Sequence, residues 1–130
     1  QNSILDNIPV TLPALQEANK IQKKVAAVGF EYNNDNEAIE KVNEELNELK
    51  KEIKIKNKKK IREELGDLIF AVLDVSRKLK LDPESVLKQS NRKFSKRWKK
   101  LEKHANIKKL ELQNLSINEY NKIWNKVKKN

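Results

Sequence analysis

Two successive apolar stripes of helical period constrain this chain more than any other feature. Ile39, Val42, Leu46, Leu49 and Ile53 recur at spacings of 3, 4, 3 and 4 residues. At roughly 100° per residue that places them on one helix face. Ile61, Leu65, Leu68, Ile69, Val72, Val75 and Leu79 form a second stripe a few residues on, and Phe70, Ala71 and Leu73 add apolar surface outside it. A helix apolar on so many sides packs against more than one neighbour. Only 2 Gly and 3 Pro interrupt the 130 residues, and no β-branched alternation of strand length occurs. The expected fold is therefore all-α, an antiparallel helical bundle forming a single domain over residues 1–130.

Start and stop signals divide the chain further. A first helix is predicted over about 12–28, with Thr11 able to cap, Pro13 in the first turn and Gly29 as terminator. Its stripe is Leu12, Leu15, Ala18 and either Ile21 or Gln22. Asn33 to Asn36 supply turn chemistry and a cap for a second helix over about 37–54. The basic linker Lys54 to Lys58 turns the chain back into a third helix over about 58–80. Asp82–Pro83–Glu84 is an acceptor cap followed by Pro, opening a fourth helix to about 103. Residues 105 to 115 read as a short turn or loop, and Ser116 with Glu119 has capping-box spacing ahead of a last short helix.

With 0 Cys there is neither a disulfide framework nor a thiolate nucleophile or metal ligand. No run reaches transmembrane length, and Gln1 to Pro9 lack the basic-then-apolar pattern of a signal peptide. A cytoplasmic location without membrane attachment is the matching expectation. The chain lacks an initiator Met, as a processed chain or a piece of a longer one does. The net charge of +10 favours polyanionic partners, but its distribution says more than its sum.

Against that basic background, residues 37 to 52 hold Glu37, Glu40, Glu44, Glu45, Glu48 and Glu52, opposed only by Lys41, Lys50 and Lys51. The third helix supplies Glu63, Glu64, Asp67 and Asp74. Glu45 lies about 75° from the centre of its stripe, with Glu48 and Glu52 further round the same side. Glu64 borders the apolar face of the third helix, and Asp67 continues round that side. Antiparallel packing then brings Glu45 and Glu48 opposite Glu64 and Asp67. Four carboxylates so placed repel one another unless a hard cation is bound, and carboxylate oxygens suit Mg²⁺ or Mn²⁺. Such an ion neutralises charge on a phosphoryl group and orients an attacking water, while one carboxylate can act as base. Acidic pairs three or four apart also occur on ordinary solvated helix faces. Gly66, between Glu64 and Asp67, costs about 1 kcal/mol relative to Ala, a cost that close helix packing or room for a ligand would explain.

Residues 88 to 103 form the opposite pole: Lys88, Arg92, Lys93, Lys96, Arg97, Lys99, Lys100 and Lys103 against Glu102 alone. Lys93 and Arg97, four apart, can reach one phosphate chain, and Asn91 offers a donor and an acceptor for a base or sugar hydroxyl. Phe94, Trp98 and Leu101 are spaced as a core face. No glycine-rich phosphate loop, zinc-finger or RNP-like signature is present, so specific nucleic-acid binding is not expected. His104 has no companion His or Cys and reads as a surface residue.

From about Ile4 to Lys128 the chain resembles the MazG family of all-α nucleoside triphosphate pyrophosphohydrolases, in particular the C-terminal catalytic domain of its two-domain bacterial members. The resemblance is carried by Glu44–Glu45–Leu46–Asn47–Glu48, Glu63–Glu64–Leu65–Gly66–Asp67–Leu68 and Asn91–Arg92–Lys93–Phe94–Ser95–Lys96–Arg97–Trp98. Ile8–Pro9, Leu12–Pro13–Ala14–Leu15, Lys20 to Lys24 and Val28–Gly29–Phe30 match the opening of the domain. It implies metal ligands at Glu45, Glu48, Glu64 and Asp67, and substrate contacts at Asn91, Lys93, Arg97 and Trp124. It also implies a homodimer that completes the bundle, and Mg²⁺-dependent attack of water on the α-phosphorus of a nucleoside triphosphate, clearing excess or aberrant nucleotides. Lys96 and Trp98 depart from the family's usual residues, which bears on substrate preference. Two other classes are compatible with the residues alone: a basic helical module that binds nucleic acid or a partner protein, and a catalytically silent nucleotide-sensing domain.

Overall fold

The computed structural model describes residues 2–129, which form two compact units, one ending at Val86 and one beginning at Leu87. Among the described residues there are five α-helices, a 3-10 turn and no strand. The fold class is all-α, as the stripes require.

The first unit is built on α1 (Ala14–Ala27), α2 (Asp35–Ile55) and α3 (Lys58–Lys78). Thr11 does not cap α1: Pro13 occupies the N-cap position and makes no side-chain cap hydrogen bond. Pro13 has a fixed φ suited to helix entry but no side-chain acceptor, and the helix begins at Ala14, three residues after Thr11. Past its end, Gly29 takes φ +106, a conformation costly for any residue with a Cβ. Asn34 caps α2 by accepting from the Glu37 N–H at 2.9 Å. Because Asp35 and Glu37 then lie in the first turn, their charge complements the helix dipole.

Lys56 in the left-handed region ends α2, and Asn57 caps α3 directly afterwards. With only these two residues between them, α2 and α3 fold back on each other as a hairpin, and α1 packs on α3. The buried hydrophobic side chains of this unit are small: Ala18, Ala38 and Ala71. Much of the α3 stripe stays open, with Leu65, Ile69 and Val72 about half exposed at 46%, 51% and 49%.

Asp82 caps α4 (Pro83–Ile107) through the Ser85 N–H at 3.0 Å, the signal read from Asp82–Pro83. The helix runs four residues beyond the expected end, because Ala105 is buried and no breaker precedes Lys109, which takes positive φ. The second unit joins α4 from Leu87 onward with the 3-10 turn Leu112–Asn114 and α5 (Ile117–Lys128). Ser116 and Glu119 form a complete capping box. Leu101, Ile123 and Val127 make the core of this unit, covered by Trp98, Leu112, Leu115, Tyr120 and Trp124. Trp98 stacks on Tyr120 with ring centroids 6.1 Å apart. Phe94, expected on the core face, is largely exposed, with its ring tilted against that of Trp124.

Candidate metal centre

The hairpin geometry determines which acids meet. Carboxylate oxygens of Glu45 on α2 and of Glu64 and Asp67 on α3 all lie within 4.8 Å of one another. Glu45 is 9% exposed, Glu64 is half-buried and Asp67 faces solvent. Glu48 lies outside this trio and pairs loosely with Lys51 at 3.8 Å. It is nonetheless close enough to act on Glu64 electrostatically, as is Glu52.

The repulsion registers on Glu64. Its carboxyl titrates above the ordinary 4.5, first because desolvation disfavours its charged form and then because Glu45, Asp67, Glu48 and Glu52 surround it with like charge. One cation of the protein answers part of this. Lys41 Nζ sits 3.0 Å from Glu45 and 3.3 Å from Glu44, and these contacts raise its own pKa against desolvation.

The donor set fits a small divalent cation. Mg²⁺ takes oxygen ligands at about 2.0–2.1 Å, so neighbouring ligand oxygens stand about 3 Å apart and opposite ones about 4 Å. One carboxylate oxygen from each of Glu45, Glu64 and Asp67 lies within 4.8 Å of the others, close to that scale. Three carboxylates also leave positions for water and for phosphate oxygens.

A carboxyl held above 4.5 favours the fold while protonated, and that contribution is lost as pH rises through the raised value. Metal-free wild type and Glu64→Gln should therefore melt alike below pH 4.5 and diverge above it, with the variant the more stable. Thermal melts of both proteins across that range check this, and Mg²⁺ should narrow the gap.

Gly66 lies between two of the three acids, and a Cβ added there meets nothing within 4 Å. Close helix packing of this chain on itself is therefore not what the glycine serves. Gly66→Ala is expected to raise stability by about 0.5–1 kcal/mol, by relieving the cost of glycine inside a helix. Urea titration measures the gain.

A cavity of about 650 Å³ adjoins the acids. Glu45, Asp67 and Lys41 border it, and Ile21, Val25, Phe30, Tyr32 and Phe70 give it apolar walls. Its rim is pinned to α3. Lys78 Nζ donates to the Tyr32 carbonyl at 2.6 Å and meets Glu31 at 3.0 Å, while Arg77 bridges Glu31 at 3.4 Å and Asp74 at 2.7 Å. These cations hold Glu31 below its ordinary range. The sequence reading singled out none of Gln22, Tyr32, Glu31, Arg77 and Lys78 as site residues. The one local signal was a glutamine at an apolar-stripe position of α1.

The basic candidates belong to the second unit. Lys93 and Arg97 are one turn apart on α4, with Lys93 exposed and Arg97 half-buried; Asn91 is exposed. Trp124 on α5 is half-buried, with its ring 5.0 Å from that of Phe94.

Residues 34–102, which contain both acidic segments and the basic one, match the family model of the MazG nucleotide pyrophosphohydrolase domain. The chain belongs to this family. A nucleoside triphosphate pyrophosphohydrolase of Escherichia coli (strain K12) is 36% identical over 131 residues, covering 99% of this chain and 50% of that protein. A nucleoside triphosphate pyrophosphohydrolase/pyrophosphatase MazG of Thermotoga maritima is 38% identical over 128 residues, 98% of this chain and 49% of that protein. YabN of Bacillus subtilis is 38% identical over 129 residues, which is 26% of its length. The chain thus spans about half the length of the first two MazG-type relatives.

Proposed function

We propose that this MazG-family chain hydrolyses nucleoside triphosphates to nucleoside monophosphate and pyrophosphate with Mg²⁺, for which Mn²⁺ can substitute. The observation that carries the reading is the convergence of Glu45, Glu64 and Asp67 from two helices to within 4.8 Å. The two relatives that bear the name of this activity add to it.

In this reading Glu45, Glu48, Glu64 and Asp67 hold the metal, with Glu48 closing in from its loose pair with Lys51. Bound there, the ion supplies Lewis-acid stabilisation of phosphoryl charge and a lowered pKa for coordinated water. The residues do the rest. A carboxylate of the cluster accepts the proton of the attacking water. Lys93 and Arg97 neutralise the phosphate chain, Asn91 hydrogen-bonds the sugar or base, and Trp124 lies against the nucleotide. Water oxygen bonds to the α-phosphorus, the bond from that phosphorus to the α–β bridging oxygen breaks, and pyrophosphate leaves. Residues 1–130 act as one catalytic domain, functioning in the cytoplasm as a homodimer that clears excess or aberrant nucleotides. Among the described residues no helix is long and apolar enough to cross a membrane.

Hydrolysis of a panel of ribo- and deoxyribonucleoside triphosphates in ¹⁸O-water tests the reaction. Equimolar monophosphate and pyrophosphate are expected, with the label in the monophosphate. Orthophosphate and diphosphate as products overturn the assigned bond cleavage. No turnover, with tight and steeply salt-dependent binding to DNA or RNA, favours a basic binding module instead.

A further inference from the structure

Helix α1 turns a carboxamide into the interior of the first unit. Gln22 is 3% exposed and stands where the α1 stripe otherwise calls for an apolar residue. Its Nε2 donates to the Phe70 carbonyl at 2.9 Å. A carbonyl only accepts, so this bond fixes which end of the carboxamide is nitrogen. The other end, Oε1, is buried without a hydrogen-bond partner. Buried acceptors are nearly always satisfied, and one left open is a standing cost to the fold.

Gln22 is also part of the wall of the 650 Å³ cavity. The lining has an apolar side in chemical character, from Ile21, Phe30, Tyr32 and Phe70, and an acidic one, from Glu45 and Asp67. A nucleotide matches both characters: a flat, largely apolar ring with N–H donors on its edge, joined to a phosphate chain that seeks the metal ligands. The volume falls in the ordinary range for a small-molecule site.

We infer that Gln22 determines base specificity, its Oε1 accepting a hydrogen bond from a ring N–H or exocyclic amine of a base held in the cavity beside Glu45 and Asp67. This rests on the proposed hydrolysis of nucleotides but adds to it a recognition rule. The carboxamide cannot turn its NH₂ toward the ligand without abandoning the Phe70 carbonyl, so the site reads a donor and not an acceptor. Because Oε1 is closed to solvent in the empty cavity, neighbouring side chains must shift to let a ring edge reach it.

The test compares each triphosphate with a partner lacking the donor hydrogen: ATP with purine riboside triphosphate, CTP with pyrimidin-2-one riboside triphosphate (hydrogen in place of the 4-amino group), UTP with N3-methyl-UTP, and GTP with 1-methylinosine triphosphate. Wild-type kcat/KM should favour the donor-bearing member of at least one pair by about tenfold, the worth of one net hydrogen bond. Gln22→Met, which keeps the side chain's length and removes both polar ends, should lower turnover of that member to the level of its partner. The wild-type comparison stands even if the variant does not fold. Equal handling of all four pairs overturns the inference and points to a water molecule on Oε1. So does a preference that survives Gln22→Met. If no triphosphate is turned over, the proposed reaction fails, and calorimetric binding of the same eight nucleotides then decides Gln22 separately. An affinity preference upholds its role, whereas equal binding or none overturns it.

Discussion

If the proposed reaction holds, Glu45→Gln should lower kcat/KM for nucleoside triphosphates by about a thousandfold at saturating Mg²⁺. Of the three acids that converge it is the most enclosed, and it is the one contributed by α2. Gln keeps the shape but removes the charge, so the proposed ion site loses an anionic ligand while the helix hairpin stays intact. The metal's stabilisation of phosphoryl charge is several kcal/mol, and each 1.36 kcal/mol is tenfold in rate. The fold itself should be little affected. Glu45 gives up its contact with Lys41, an i,i+4 pair with one partly exposed partner, worth under about 1 kcal/mol. Glu64 meanwhile loses the first of the like charges acting on it. The combination to look for is collapse of turnover, weakened Mg²⁺ binding by calorimetry, and an unchanged melting temperature in EDTA. Retained turnover with normal Mg²⁺ dependence would remove α2 from the metal site.

The sequence foretold the hairpin because its information is local. A 3, 4, 3, 4 stripe needs no tertiary knowledge to be seen, and the Asn34, Asp82 and Ser116 caps are short-range hydrogen bonds whose donors lie three residues away. Thr11 failed as a cap for an equally local reason, since Pro13 already fixed the entry to α1. The end of α4 was not legible because Ala105, a weak hydrophobe in any sequence pattern, is held by burial that only the folded chain reveals. Helix periodicity gathered the acids on one side but could not rank them. Three residues along α2 move Glu48 about 4.5 Å up the axis and about 60° round it, which leaves it beside Lys51 while Glu45 meets α3. Gln22 was beyond reach for a different reason. Its partner is 48 residues away, and a single polar residue in an apolar stripe becomes informative only when its unpaired oxygen is seen.

Val72→Glu converts the proposed homodimer to monomer at micromolar concentration. The α3 stripe runs through Leu65, Ile69, Val72 and Leu79, spaced as one helix face, and each stays open to solvent although α1 and α2 already pack on this helix. Contiguous apolar surface of this kind marks an interaction site. In a two-fold dimer the same patch serves both subunits, so one substitution places two carboxylates in the interface. An unpaired charge buried at an interface costs about 2 kcal/mol or more, so two cost about 4 kcal/mol and weaken association by about a thousandfold. Sedimentation velocity should show the wild type as a dimer and the variant as a monomer. Because a dimer's stability is linked to its concentration, the wild-type melting temperature should rise with protein concentration, and that of Val72→Glu should not. A wild-type chain that sediments as a monomer at every concentration would leave the α3 stripe to some other partner.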